Sequence, residues 1–191
     1  MKKILKITTI WVVILFGCTA CNKDYFDVNT PADAVDIDQL SMKDLMGPVL
    51  YNTLIAQYSA NTTFSNYSQY IGGYGNGAAG RSELSGTWNS VYLSVLPNVR
   101  IIKEKAEAGN AKYIKAVALI VEAANIGLAA DSWDAVPYSQ ASNPTEFAKP
   151  NFDSQEQVYN SVFQLLNEAI QLLEGPDNSG IKLGNEDLIY G

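Results

Sequence analysis

The sequence predicts an all-α protein, and three observations support that prediction. Apolar residues recur at steps of three and four along four long segments, which is the spacing of one helix face. Helix-capping patterns precede two of these segments, and Gly-Asn or Gly-Pro pairs follow two of them. We find no convincing strand pattern in the sequence.

The first helix is predicted over residues 41–59. Ser41-Met42-Lys43-Asp44 matches a capping box. The apolar stripe that follows it consists of Leu45, Met46, Val49, Leu50, Leu54, Ile55 and Tyr58. Gly47-Pro48 is a point where this helix kinks or restarts. Residues 60–83 are expected to form a loop.

The second helix is predicted over residues 86–108, with its cap at Ser85 or Thr87 and its end at Gly109-Asn110. Pro97 is expected to bend it. One stripe of this helix is apolar and includes Trp88, which favours core packing of that ring over ligand stacking.

The third helix is predicted over residues 111–130, antiparallel to the second because only a two-residue break separates them. Its inward-facing residues are expected to be Tyr113, Val117, Ile120, Val121, Ala124 and Leu128.

An irregular stretch with three prolines, residues 131–152, follows. The last helix is predicted over residues 154–174, with Ser154 and Gln157 as its capping pair and Gly175-Pro176 as its end. Helix pairs of this kind suggest tetratricopeptide-like helical hairpins with long irregular loops, although the helices exceed that repeat's period of about 34 residues.

The N-terminus has the pattern of a lipoprotein signal peptide. Three lysines precede an apolar run over residues 7–16, which is too short for a bilayer core that needs about 20 residues. Cys18 and Cys21 follow it, and we expect one of them to be acylated. Cleavage before Cys21 predicts a signal peptide over residues 1–20, an acidic tether over 21–40 and a helical domain over 41–191.

Composition excludes several classes of function. Removal of the three signal-peptide lysines leaves 10 basic against 20 acidic residues, so nucleic acid is an unexpected partner. The sequence has no histidine and two cysteines, which excludes Ser-His-Asp and Cys-His catalysis and His-Cys zinc sites. We therefore expect neither a catalytic residue, a cofactor nor a metal.

Glycines 75, 77 and 80 spell G-x-G-x-x-G, the pattern of a dinucleotide-binding turn. The polar and aromatic residues before them do not form a buried strand, and position 100 is Arg where an acidic residue is needed. The glycines therefore do not indicate a nucleotide site.

Five segments together resemble a known family. They are CNKDYFDVNTP, GTWNSVYLSVLPNVRIIKEKA, AADSWDAVPYSQA, PNFDSQEQVYNSVFQLLNEAIQLL and NEDLIYG, in the order typical of SusD/RagB-like nutrient-binding outer-membrane lipoproteins of Bacteroidetes. The position of the first segment in that family favours Cys21 as the acylated residue, with Cys18 as the alternative. Asp134-Ala135 stands where the family often has Gly-Asp, which puts a role of that aspartate in ordering the turn in doubt. Family members typically continue into a longer C-terminal half, so the chain resembles the N-terminal part of a SusD-like fold.

The resemblance implies a non-enzymatic, lipid-anchored receptor on the outer membrane. Such a protein captures an oligosaccharide and delivers it to a SusC-like TonB-dependent transporter. A secreted glycan-degrading enzyme, a peptide-binding relative and a structural helical-repeat adaptor are the alternatives. Asp131 and Asp134 would be a carboxylate pair for the enzyme, but solvated acids or helix caps explain them better.

Sugars need exposed aromatic rings for stacking and polar side chains around them. Residues 58–83 have that composition, and the glycines among them would let the backbone approach a ligand. The ligand-binding candidates are Tyr67, Tyr70, Tyr74 and Arg81, together with Trp133 from the irregular stretch. The alternative is that these rings pack the loop onto the helices.

Overall fold

The computed structural model describes residues 35–71, 84–141 and 146–185. The chain divides into two units, Met1–Gln39 and Leu40–Gly191. In the first unit, the described residues form one 3-10 turn, Ile37–Gln39. In the second unit the helices are α1 (Met42–Tyr67), α2 (Ser85–Asn89), a π-helical segment (Ser90–Val95), α3 (Leu96–Ala108), α4 (Lys112–Trp133) and α5 (Gln155–Glu174). The described ranges hold one isolated bridge, Val136 with Asp153, and no strand, so the all-α prediction is confirmed.

The capping box of α1 is present as predicted. The Asp44 amide donates to the Ser41 hydroxyl at 3.2 Å, and the Ser41 amide donates to the Asp44 carboxylate at 2.9 Å. The helix then runs through Pro48 and continues to Tyr67, so the predicted end at residue 59 is wrong.

Packing against α2 explains the extra turns of α1. Ala60 and Thr63 are buried, and the Thr87 hydroxyl donates to the Ala56 carbonyl at 3.4 Å. Gly86 lies so close that a Cβ there would come 3.1 Å from the hydroxyl of Ser59. Tertiary contacts therefore hold a polar segment of modest helix propensity in the helix.

α1 ends in a Schellman motif that uses Gln69 in place of glycine. Gln69 has a φ of 57°, the Gln69 amide donates to the Asn66 carbonyl at 3.1 Å, and the Tyr70 amide donates to the Ser65 carbonyl at 2.9 Å. These bonds fix the backbone at the point where Tyr70 leaves the helix.

The second predicted helix forms as α2, the π-helical segment and α3 in unbroken succession. A bend was expected at Pro97. Just before this proline the structure has a π turn, in which a backbone hydrogen bond spans five residues where an α-helix spans four. The Leu96 amide bonds to the Val91 carbonyl, five residues back. The side-chain amide of Asn98 donates to the Ser94 carbonyl at 2.7 Å.

α4 is the central helix of the fold. It contributes Ile114 and Ala118 to one core cluster, Ala116 and Leu119 to another, and Ile126 to a third. Its length and composition would allow it to cross a membrane, but 61% of its most apolar 18-residue stretch is buried inside the fold. Because α4 is buried on several sides, the prediction that a single stripe of its residues faces the core is largely wrong. Val121 is buried, whereas 40% of Ile120 and 38% of Tyr113 are exposed.

α3 and α4 are antiparallel as predicted, because Lys103 pairs with Glu122 while Glu107 pairs with Lys115. Asn110, with a φ of 51°, closes α3, and the Ala111 amide bonds to the Ala106 carbonyl at 2.9 Å. α5 packs on α4 and begins at the predicted capping box, in which the Gln157 amide donates to the Ser154 hydroxyl at 3.3 Å.

Candidate functional site

The structure describes three of the five predicted ligand-binding residues, Tyr67, Tyr70 and Trp133. Tyr74 and Arg81 lie outside the described residues, and so do the acylation candidates Cys18 and Cys21. The aromatic side chains of the described part fall into groups that differ in exposure.

The end of α1 presents exposed rings on a fixed backbone. Tyr70 is 87% exposed and Tyr67 is 56% exposed. Both stand at the Schellman motif around Gln69, so their Cα positions are set by backbone hydrogen bonds. Exposed rings on a rigid support have the geometry required for stacking against a flat apolar ligand face.

The sequence around these rings carries no charge. No Asp, Glu, Lys or Arg occurs from residue 45 to residue 80, in a protein in which 17% of residues are charged. After Asp44, the polar side chains of α1 are instead hydroxyls and amides, such as those of Asn61 and Thr62. A surface of this kind suits a neutral ligand that offers both hydroxyl groups and apolar faces.

Trp133 lies in an aromatic cluster with Trp88 and Tyr92. Its ring meets that of Trp88 edge-on at 5.0 Å between centroids, and Trp88 lies 4.2 Å from Tyr92. Trp133 is half-buried against the core cluster that includes Val136 and Val158. Within the described residues, its ring contacts lead to Trp88 and not to Tyr70. Trp133 is therefore less exposed than the tyrosines at the end of α1.

The turn after α4 is ordered by Asp153. Its carboxylate accepts hydrogen bonds from the amides of Tyr138 and Ser139, at 3.0 and 2.7 Å, and from the Ser139 hydroxyl at 2.7 Å. Burial disfavours the charged carboxylate, but these hydrogen bonds outweigh it and hold the pKa of Asp153 below its ordinary value.

Asp134 has a backbone role in that turn. Its φ of 65° and ψ of −93° belong to a region that glycine adopts without strain, and its amide bonds to the Ala130 carbonyl at 2.9 Å. Asp131 accepts a hydrogen bond from the Tyr159 hydroxyl at 2.6 Å, which raises the pKa of that tyrosine. The Asp131 carboxylate thus has a structural partner in Tyr159, and Asp134 has a structural role through its backbone.

A buried polar network ties the turn to the core. Glu122 is 5% exposed, pairs with the ammonium of Lys103 and accepts from the Tyr138 hydroxyl at 3.0 Å. Burial, together with the neighbouring Glu122 charge, raises the pKa of Tyr138. This network was not predicted, although the lone glutamate in the mostly apolar run 116–126 was a signal of it.

An open groove of about 670 Å³ lies over α4 between α3 and α5. Leu119 and Leu165 lie in its wall, and its rim carries Lys115, which bridges Glu107 at 2.6 Å and Glu168 at 3.0 Å. These three charged groups of the rim are thus engaged with one another. Among residues 35–71, 84–141 and 146–185, no cluster of His, Cys, Asp or Glu could hold a metal ion.

The residues that the structure describes form an all-α unit of packed helices with an uncharged aromatic surface, which defines the class of all-α helical domains. A crystal structure of a SusD/RagB family protein from Bacteroides thetaiotaomicron has the same fold over 78% of this chain and 33% of that chain, with a TM-score of 0.66 and 24% sequence identity. The chain thus spans a third of the length of that protein.

The SusD-like family described as starch-binding and associating with the outer membrane matches residues 34–191, and the chain belongs to this family. The resemblance found in the sequence is therefore confirmed. Comparison with curated proteins gave no match.

Proposed function

We propose that the protein is a lipid-anchored receptor on the cell surface that captures a neutral oligosaccharide and delivers it to a SusC-like TonB-dependent transporter. The family description supports glycan binding and outer-membrane association. The observation that carries the proposal is the uncharged, exposed aromatic end of α1.

Sugar rings have apolar C–H faces ringed by hydroxyl groups. Tyr67 and Tyr70 supply exposed ring faces for stacking, and each phenol hydroxyl is a hydrogen-bond donor and acceptor. The surface around Tyr67 and Tyr70 lies within residues 45–80, which carry no charge, and this favours a neutral glycan over a charged peptide. Tyr74 and Arg81 follow closely in the sequence and complete the proposed site, in which the guanidinium of Arg81 would donate hydrogen bonds to sugar hydroxyl groups.

Single alanine variants test the capture site. Replacing Tyr67, Tyr70, Tyr74 or Arg81 in the full chain should lower the affinity for malto-oligosaccharides, measured by isothermal titration calorimetry. Loss of one stacked ring should cost about 1 kcal/mol of binding free energy, which corresponds to about a fivefold rise in Kd. Tyr113→Ala is a matched control, because Tyr113 is a partly exposed tyrosine on α4.

Unchanged affinity in all four variants would exclude the site. If the native protein bound no glycan of any linkage, the receptor proposal itself would fail. Release of reducing sugar by the native protein would instead favour the glycan-degrading alternative.

The anchor and the transporter need separate measurements. Mass spectrometry of the protein purified from its native membrane should find acyl chains on Cys21, and Cys21→Ser should release the protein from the membrane fraction. Cys18→Ser is the control, and acylation of Cys18 would reassign the anchor. Co-purification with a large β-barrel transporter is expected for the wild-type protein.

A further inference from the structure

A second aromatic surface lies along the outward face of α1. We define it as the outward platform, formed by Tyr51, Leu54, Ile55 and Tyr58. Their exposed fractions are 57%, 51%, 37% and 71%. Their spacing of three, four and seven residues places them on one helix face, while Val49 and Ala56 lie buried on the other.

The outward platform is separate from the capture site at the end of α1. Tyr67 follows Tyr58 by nine residues, which at 3.6 residues per turn is about two and a half turns. The two tyrosines therefore project from nearly opposite sides of the helix. A ligand on the outward platform does not lie on Tyr67.

The chemistry of the platform favours a neutral ligand. It lies wholly within the uncharged residues 45–80. Leu54 and Ile55 fill the helix surface between the two rings, so the apolar strip is continuous. The next turn adds exposed polar groups at Asn61 and Thr62, and the Thr62 hydroxyl donates to the Tyr58 carbonyl at 2.8 Å. Aromatic rings beside amides and hydroxyls match a sugar chain better than an ionic partner.

The shape of the platform favours a long chain. Tyr51 and Tyr58 lie about 10.5 Å apart along the helix axis, at 1.5 Å per residue. A single sugar ring is too small to cover both rings at once, whereas successive units of one polysaccharide chain can stack on each. A helix surface encloses little of a ligand, so each contact is weak and repeated contacts along the polymer supply the affinity.

We infer that the outward platform is a second glycan site, which holds an extended, neutral polysaccharide chain outside the capture site. The inference rests on the proposed function, since it assigns the platform to the same class of ligand. It gives the protein one surface for the polymer and another for the shorter oligosaccharide.

The test compares two ligands and two double variants of the full chain. Native affinity electrophoresis in gels containing soluble starch or mixed-linkage β-glucan measures polymer binding, and calorimetry with malto-oligosaccharides and cello-oligosaccharides of three to four units measures short-chain binding. Tyr51→Ala/Tyr58→Ala should weaken polymer binding about 5- to 30-fold and leave short-chain affinity unchanged. Tyr67→Ala/Tyr70→Ala should weaken short-chain binding.

Two controls separate ring stacking from unfolding. Tyr51→Phe/Tyr58→Phe retains the ring faces and should keep most of the polymer affinity. Phe163→Ala removes a ring that is 61% exposed on α5 and should change neither ligand's binding. Circular dichroism must show native helix content in every variant.

Each remaining outcome has one meaning. If the native protein binds both ligands and Tyr51→Ala/Tyr58→Ala binds the polymer normally, the platform inference is wrong and the proposed function stands. Loss of both ligands in that folded variant would show a single shared site and also overturn the inference. Loss of transporter association with normal polymer binding would identify the platform as a protein interface. If the native protein binds neither ligand, the proposed function fails and the platform inference fails with it.

Discussion

Removing Lys103 from the buried network should destabilise the protein more than removing Lys103 and Glu122 together. In Lys103→Met, the Glu122 carboxylate remains buried with only the Tyr138 hydroxyl as a hydrogen-bond donor among its contacts. Stranding a buried charge costs about 3–5 kcal/mol. The Lys103 side chain is 26% exposed, so water reaches the site and we expect the lower end, about 3 kcal/mol.

The double variant Lys103→Met/Glu122→Met leaves no charge behind. Its main loss is the hydrogen bond from the Tyr138 hydroxyl, worth about 1–2 kcal/mol. The free energy of unfolding should therefore recover by at least about 1 kcal/mol relative to the single variant. Urea denaturation followed by circular dichroism measures both values, with the m-value confirming comparable unfolding. A double variant that is as unstable as Lys103→Met, or less stable, would refute this account of the network.

Three further predictions concern the backbone turns. Asp134→Gly should raise the free energy of unfolding by about 1 kcal/mol, because it relieves a strained conformation, whereas Asp134→Ala should give no such gain in the same urea titration. Gln69→Gly should slow hydrogen exchange of the Tyr70 amide, since glycine adopts a positive φ more readily; unchanged or faster exchange would contradict the Schellman assignment. Because the pKa of Asp153 is lowered in the folded protein, its contribution to stability is complete above the ordinary value of 3.8 and is lost as pH falls through the lowered value. Asp153→Asn should flatten this acid dependence in urea titrations from pH 6 to pH 3, and an unchanged slope would count against it.

The sequence predicted helix starts better than helix ends. Capping boxes at Ser41 and Ser154 are local patterns, because the side chain and the amides it caps lie within one turn. The extension of α1 to Tyr67 depends on Gly86 and Thr87, which lie far along the chain, so no local pattern reveals it. Tertiary contacts decide such boundaries.

Helix faces were predictable only where one side is buried. α4 packs on several neighbours, so the helical spacing of apolar residues does not identify which of its residues are buried. Its buried polar residues, Glu122 and Asn125, lie among apolar residues in the sequence. The Asn125 side chain donates to the Thr53 hydroxyl at 2.9 Å, a link across 72 residues of sequence. The outward platform was missed because periodicity alone assigns Leu54, Ile55 and Tyr58 to a core. The absence of charge from 45 to 80 was the signal that could have found the uncharged surface of α1.

The π-helical segment Ser90–Val95 affects how this protein tolerates deletions. A π turn holds about one residue more than the α turn it replaces, so removing one residue there would let the ladder close with ordinary bonds. A π turn and an α turn both complete one full rotation, so the side chains after such a deletion would keep their direction around the helix axis. Val99 and Ile102 would then stay in the core that they now fill. A deletion in the α-helical turns of α3 would instead rotate every later side chain of that helix by about 100°, so the π-helical segment is where this long element can lose one residue without unpacking the protein.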